Sequence, residues 1–161
     1  MPLREVLGVT ALLLREFEPG DEQAFYSLNE AWISKFFKME EKDFEVLRDP
    51  RKYVLDPGGR IYFACRDGER LGCCALIQRQ DRFELAKMGV AEAARGQGLG
   101  RALLEYVIGE ARGMGVRKLY LESNRILENA VHLYESVGFR HVRPEKPSPF
   151  ARSDVYMEME F

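Results

Sequence analysis

Three alternating glycines between two arginines are the feature of this sequence best suited to chemistry. The segment Arg95-Gly96-Gln97-Gly98-Leu99-Gly100-Arg101 follows a predicted strand and precedes a predicted helix. Glycine permits positive φ and close backbone approach, and a helix start offers free N–H groups and the positive end of its dipole. Because these features together suit an anion, the segment predicts a phosphate or pyrophosphate site, with Arg95 and Arg101 adding charge.

The alternative is a glycine-rich corner without a ligand, but the flanking arginines have no obvious packing purpose. Two other nucleotide motifs do not fit. A P-loop needs Lys-Ser/Thr after its glycines, and the dinucleotide fingerprint needs glycine where Leu103 stands. Glu122, at the end of the next strand, could mimic the ribose-binding acid of a dinucleotide fold. However, the preceding strands look antiparallel and the chain lacks room for two mononucleotide halves.

Length and composition predict one domain over residues 1–161, which is large enough to bury a core without disulfides or a structural metal. The formal net charge of −2 gives no global attraction to nucleic acid or to an anionic membrane. Three cysteines, Cys65, Cys73 and Cys74, argue against a disulfide framework, and the adjacent pair should point to opposite sheet faces. Residues 1–5 lack an apolar signal region, so we expect a cytoplasmic protein.

The hydrophobic pattern predicts antiparallel strands first and then β-α-β-α-β, which makes a mixed α+β sheet the expected architecture. Pro-Gly and Asp-Gly pairs separate the early elements. Asp21 is the expected cap of the first helix, and Gly138 the expected C-cap of the last. The predicted strands are 11–17, 60–66, 71–79, 83–90, 116–122, 139–142 and 154–161, and the predicted helices are 21–37, one from about 40, 99–114 and 129–137.

Two segments resemble motifs of one enzyme family. Glu84 to Val90 followed by Arg95 to Gly100 looks like motif A of the GCN5-related N-acetyltransferase (GNAT) superfamily, whose signature is Gln/Arg-x-x-Gly-x-Gly/Ala. Asn129-Ala130 and Leu133 to Phe139 resemble its motif B, and the predicted elements stand in family order. The resemblance implies a mixed, mostly antiparallel sheet of about seven strands flanked by about four helices.

The resemblance also implies where acetyl-CoA, the acetyl donor, would bind. The backbone of Met88, Gly89 and Val90 is expected to pair with the pantetheine arm like an added strand. The amides from Arg95 to Arg101 are expected to hold the pyrophosphate. Asn129 is expected to contact the cofactor arm, and Tyr134 to lie near the thioester sulfur. The acceptor would be a primary amine of a small molecule, amino acid or peptide, and relatives commonly form homodimers.

Transfer by direct attack of an amine in a ternary complex requires no covalent nucleophile. The only histidines, His132 and His141, have no Ser or Cys elbow nearby, and no metal-ligand spacing is present. Tyr134 is the candidate general acid for the departing thiolate, since a phenol pKa near 10 suits that role. The alternative is that Tyr134 only packs, because it shares a helical stripe with apolar neighbours.

The sequence offers two candidates for the general base and several candidates for the acceptor pocket. Glu84 is the first candidate base, acting directly or through water, although it could be a solvated strand acid; Glu122 is the second. Asn124 is expected either to position a ligand or to shape a turn. Arg152 and Asp154 either line the acceptor pocket, with Tyr156, or begin a solvated strand.

Two further expectations concern packing and turnover. Trp32 and Phe36 lie on the first helix, where core packing is favoured over a place in the pocket. A non-catalytic acetyl-CoA sensor is the competing function, but Tyr134 and the intact glycines favour an enzyme.

Overall fold

The computed structural model describes residues 3–5 and 11–161, with side chains described from residue 11 onward. One sheet forms its centre, with helices on both faces. The strands are β1 (Leu3–Glu5), β2 (Ala11–Glu16), β3 (Arg60–Arg66), β4 (Glu69–Arg79), β5 (Arg82–Val90), β6 (Lys118–Ser123), β7 (Arg140–His141) and β8 (Val155–Glu160). The α-helices are α1 (Glu22–Phe36), α2 (Glu41–Arg48), α3 (Leu99–Gly113) and α4 (Glu128–Ser136).

The strand order is β1-β2-β3-β4-β5-β6-β8-β7. Among the strands that the structure describes, only β5 and β6 pair in parallel, while the other neighbours are antiparallel. The predicted mixed, mostly antiparallel sheet with four helices is therefore confirmed, and the short strand β1 is added to the seven predicted strands. The prediction of no signal region concerns residues 1–5, of which residues 1 and 2 lie outside the described residues.

Two apolar cores fill the two sides of the sheet. Cys74 belongs to the core under α3, with Leu103 and Val107, whereas Cys73 belongs to the core under α1 and α2, with Phe25. The prediction that adjacent cysteines face opposite sides is confirmed, as expected from the two-residue period of a strand. This arrangement leaves α1 and α2 on the face of β5 opposite to α3.

The start of α1 differs from the prediction. Asp21 occupies the N-cap position but makes no side-chain cap hydrogen bond. Its buried carboxylate instead accepts hydrogen bonds from Arg15 at 2.7 and 3.1 Å, from Arg70 at 2.7 Å and from the Glu18 amide at 2.8 Å. Two guanidinium groups outcompete the helix amides, because charge-assisted bonds are roughly twice as strong as neutral ones. A π-helical turn, Arg51–Leu55, was also not predicted.

No helix in the described ranges is long and apolar enough to cross a membrane.

Candidate active site

The parallel pairing between β5 and β6 ends after two residue pairs. Phe83 pairs with Leu119 and Glu84 with Tyr120, but β5 continues to Val90 and β6 to Ser123 without further pairing between these two strands. A cavity of about 580 Å³ opens where they diverge. Its lining includes these residues predicted from sequence: Glu84, Met88, Gly89, Val90, Arg95, Gly96, Gly98, Leu99, Gly100, Glu122, Asn124, Asn129, Tyr134 and Arg152.

A β-bulge in β5 shapes the cavity wall. Cys73 pairs with Gly89 and Ala75 with Ala86, so Lys87 and Met88 together oppose Cys74. Lys87 is the residue with positive φ, at 53°. The extra residue interrupts the ladder and bends the strand. With no β6 partner described beyond Glu84, the far edge of β5 presents backbone groups to the cavity.

Gly89 permits the close approach of α1 to this edge. A Cβ at position 89 would lie 2.9 Å from the carbonyl oxygen of Leu28 and 3.2 Å from the Trp32 ring. Real Cβ atoms do not sit that close to backbone, so any side chain there would push α1 outward. The glycine therefore sets the width of the cavity at this point.

The glycine turn lies at the mouth of the cavity. Gly96 and Gly98 have φ of 77° and 76°, a region that favours glycine. A Cβ built on either would meet no atom within 4 Å, so the space in front of the turn is open. Helix α3 begins at the next residue, Leu99, whose side chain is buried in the core. The start of α3 and the two glycines with positive φ thus border open space.

Tyr134 lies on α4 with its ring edge-on to Phe139, at a centroid distance of 6.1 Å. Burial raises the pKa of its phenol. Within residues 11–161, the hydroxyl forms no hydrogen bond, although the residue lines the cavity. The ring therefore packs, as the alternative interpretation expected, while its hydroxyl remains available to a ligand.

Two carboxylates line the cavity in different settings. Glu84 accepts hydrogen bonds from Arg79 at 2.9 and 3.1 Å and from the Tyr120 hydroxyl at 3.4 Å. Glu122 has no ion-pair partner within 4 Å among the described side chains. Burial raises the pKa of Glu122, and the hydroxyl of Ser148 partly offsets that effect.

The side chain of Arg152 is engaged rather than free. It forms a bidentate pair with Asp43, at 2.7 Å for both contacts, and Lys87 donates to the same carboxylate at 2.7 Å. Sequence reasoning missed Asp43 and Lys87. A lysine inside the apolar run from Leu85 to Val90 was the available signal, but the bulge that turns it toward α2 is not readable from the pattern.

Several predicted residues are placed away from the cavity or used structurally. Gln97 accepts from Arg66 at 2.8 Å, and Arg101 donates to the Ser136 hydroxyl. Asp154 lies outside the cavity lining and holds the amide of Arg125 at 2.9 Å. The amide of Asn124 donates to the Arg152 carbonyl at 2.7 Å and accepts from the Ile126 amide at 2.9 Å, which favours the turn-shaping interpretation.

The expectation of core packing was wrong for Phe36 and incomplete for Trp32. Phe36 is 39% exposed, and both rings line the cavity. Helical spacing cannot distinguish a ring facing the core from one facing a cleft beside it. In the described part of the chain, no group of three or more His, Cys, Asp or Glu side chains is arranged to hold a metal ion.

Comparisons with known proteins agree with this geometry. The mycothiol acetyltransferase of Thermomonospora curvata is 34% identical over 144 residues, 86% of this chain and 47% of that protein. The uncharacterized N-acetyltransferase YjgM of Escherichia coli is 34% identical over 90 residues, 53% of this chain and 54% of that protein. The chain therefore spans about half the length of these two relatives.

Solved structures show the same fold. An acetyltransferase of the GNAT family from Staphylococcus aureus Mu50 matches with a TM-score of 0.83 at 19% identity, covering 93% of this chain and 99% of the other. The yncA protein of Salmonella typhimurium, solved with its cofactor acetyl-CoA, matches with a TM-score of 0.72 at 19% identity, covering 92% and 93%. The family model for the acetyltransferase (GNAT) family matches residues 14–139, most of the chain. The chain therefore belongs to the acetyltransferase (GNAT) family.

Proposed function

We propose that this chain transfers an acetyl group from acetyl-CoA to a primary amine of a small molecule, amino acid or peptide, by direct attack in a ternary complex. One observation carries the proposal: a single cavity joins the glycine turn, the unpaired edge of β5, Tyr134 and two carboxylates. Acetyl-CoA, when bound, supplies the thioester carbonyl that an amine can attack.

The glycine turn fits a diphosphate. A Cβ at Gly96 or Gly98 would meet open space, so a ligand can approach the backbone closely at the start of α3, where a helix dipole favours negative charge. Arg95 lines the same space and adds a full positive charge. The backbone of Met88 to Val90 would hold the pantetheine arm by strand addition, and Asn129 would contact it from α4.

Tyr134 would donate its phenolic proton to the departing thiolate. Its hydroxyl, unpaired among the described residues, supports this role; the raised pKa keeps the group protonated at neutral pH but also makes it a weaker acid. Glu122 would accept the proton of the attacking amine, directly or through water. What supports Glu122 over Glu84 is that its pKa is raised toward working pH, whereas Arg79 and Tyr120 already occupy the Glu84 carboxylate.

The cofactor site is tested by Gly98→Val, with Gly115→Val as the matched control. Gly115 has φ of 80°, open space for a Cβ and a place beyond the other end of α3. Both variants carry similar backbone strain, of order 1–2 kcal/mol, but only valine at 98 fills the phosphate space. Calorimetry should show CoA binding lost in Gly98→Val and kept in Gly115→Val; equal binding would contradict the proposed phosphate site.

Turnover is tested by thiol release from acetyl-CoA across a panel of amines, with Tyr134→Phe as the variant. Because the hydroxyl has no described partner, its removal should leave stability and CoA affinity unchanged. Loss of a general acid should lower kcat by roughly 10²-fold. Unchanged kcat would exclude the acid role, and CoA binding without thiol release on any amine would indicate a sensor.

A further inference from the structure

A buried ammonium lines the cavity with most of its hydrogen-bonding capacity unused. The side chain of Lys87 is 6% exposed, and its Nζ donates to Asp43 Oδ1 at 2.7 Å. An ammonium carries three N–H donors, and no other acceptor within residues 11–161 hydrogen-bonds to it. The Phe150 ring, with its centroid 4.6 Å from Nζ, covers part of the ammonium, but it brings no acceptor oxygen, and leaving buried donors unpaired is unfavourable. The arrangement therefore favours a ligand that brings an acceptor oxygen to Lys87.

The ammonium of Lys87 shares its one contacting carboxylate with a second cation. Asp43 is fully buried and is shared between Lys87 and Arg152, so one carboxylate faces two cations. Other acids lie further from the ammonium: Glu40 is 3.5 Å from Arg152 with its side chain 27% exposed, and Glu84, which acts on Lys87 through its charge, is already paired with Arg79. Because Asp43 is the one carboxylate in direct contact with Lys87 and is shared with Arg152, a ligand carboxylate beside Lys87 would be attracted to the ammonium, whereas a cationic group would be repelled.

Aromatic rings surround the same part of the cavity. The Phe150 ring lies 4.6 Å from Lys87 Nζ, and the Trp32 ring lies 5.8 Å from the Arg152 guanidinium carbon. Both rings line the cavity together with Phe36, which is 39% exposed. The apolar ring surface that remains exposed at the cavity wall would be removed from water by an apolar group of a ligand, a gain of about 25 cal/mol per Å². The lining therefore fits an acceptor with an apolar or aromatic side chain.

The cavity also presents negative charge. Glu122 lines it without an ion-pair partner in the described residues, which suits the ammonium form of an incoming amine. The cavity thus combines an unpaired acid, a buried cation with free donors, and aromatic walls. An amino acid with an apolar side chain has the complementary set of groups.

Building on the proposed acetyl transfer, we infer that the acceptor is an amino acid with an apolar or aromatic side chain, whose carboxylate binds Lys87. Lys87 is then a specificity-determining residue that binds the acceptor and moves no proton. Asp43 holds its ammonium in place, and Arg152 shares that carboxylate.

The first test uses the unaltered protein and matched ligands. Phenylalanine, leucine and methionine are each compared with the amine left when the carboxylate is removed: phenylethylamine, isopentylamine and methylthiopropylamine. For at least one pair, the amino acid should bind the CoA-loaded chain more tightly in calorimetry and release thiol from acetyl-CoA more efficiently than the matched amine. Both differences should be roughly tenfold or more, the value of one charge-assisted hydrogen bond. Equal use of acid and amine, preference for the amine, or binding of no acid to the CoA-loaded chain would overturn the inference.

The second test compares Lys87→Met with Lys35→Met. Lys35 is an exposed lysine of α1 that pairs with Glu92 at 3.1 Å and does not line the cavity. Lys87→Met should raise KM for the preferred amino acid roughly tenfold or more, with KM for the matched amine, kcat and CoA affinity unchanged. Lys35→Met should change none of these. An equal loss for acid and amine would assign Lys87 a structural role and overturn the inference.

The outcomes separate this inference from the proposed function. Calorimetric binding of amino acids without thiol release would support carboxylate recognition and contradict acetyl transfer. Thiol release on amines alone would support transfer and overturn amino acid recognition. Absence of CoA binding by the unaltered chain would overturn both.

Discussion

Replacing Asp43 by asparagine tests whether the buried charge cluster stabilises the fold. Burial by itself would raise the pKa of Asp43, but hydrogen bonds from Arg152 and the charge of Lys87 lower it from 3.8 to about 2. A difference of nearly two pKa units, at about 1.4 kcal/mol per unit, corresponds to about 2 kcal/mol of stability. The side chain is fully buried, so solvent screening does not reduce this value much.

The pH dependence follows from the direction of the shift. Because the pKa is lower in the folded state, the contribution is fully present above the unfolded value of 3.8 and is lost as the pH falls toward about 2. At neutral pH, Asp43→Asn leaves the buried Lys87 without its one contacting carboxylate and Arg152 with only the longer contact to Glu40, which should cost about 3 kcal/mol or more. The difference in unfolding free energy between the native chain and the variant should narrow by about 1 kcal/mol between pH 6 and pH 3.

Urea unfolding at several pH values measures both quantities. Glu41→Gln is the matched control, since it removes an exposed carboxylate from the first turn of the same helix. Its cost should stay below about 1 kcal/mol, the usual size of a helix-dipole interaction. If Asp43→Asn costs no more than Glu41→Gln, or if the difference from the native chain does not change with pH, the ion-pair reasoning is wrong.

Two further predictions concern the chemistry. If Glu122 is the base, kcat/KM should fall as the pH drops through its raised pKa. Glu122→Gln should remove this acidic limb of the pH profile and lower kcat/KM 10²–10⁴-fold. A larger loss of kcat/KM in Glu84→Gln would assign the role of base to Glu84. Burial raises the pKa of Cys73 to about 12 and also raises those of Cys65 and Cys74. A chromogenic disulfide should therefore react with these three thiols only after denaturation, and rapid labelling of the folded chain would contradict their burial.

The parts of the fold that the sequence predicted are those governed by local pattern. Strand β3 was predicted at its observed bounds, 60–66, because an Asp-Gly pair is a strong signal for a hairpin turn. In the structure, Asp67 and Gly68 form that turn, and both have positive φ, 52° and 79°. Helix α3 follows from an apolar stripe that buries Leu103 and Val107. The glycine turn was predicted from residue type alone, since only glycine tolerates φ near 76° without strain at Gly96 and Gly98.

The cluster of Asp43, Lys87 and Arg152 could not be predicted because distant segments build it. Asp43 of α2 contacts Arg152, which is 109 residues away, and Lys87, which is 44 residues away. A window along the chain shows Asp43 only as the N3 acid of a capping box, which it also is, accepting from the Glu40 amide at 2.9 Å. The capping role is local and readable, whereas the shared ion pair depends on the tertiary fold.

The bulge in β5 links the two halves of the proposed mechanism. Ala86 packs on the α2 side of the sheet, so strict alternation would place Lys87 on the α3 side. Instead, with its positive φ, Lys87 lies on the α2 side like Ala86, and Met88 packs on the α3 side. The same extra residue bends β5 near the point where its pairing with β6 ends. One inserted residue thus lies beside the backbone edge proposed for the acetyl donor and turns a cation toward the proposed acceptor site. That coincidence explains why a lysine in a left-handed conformation, itself unfavourable, stands in the middle of a core strand.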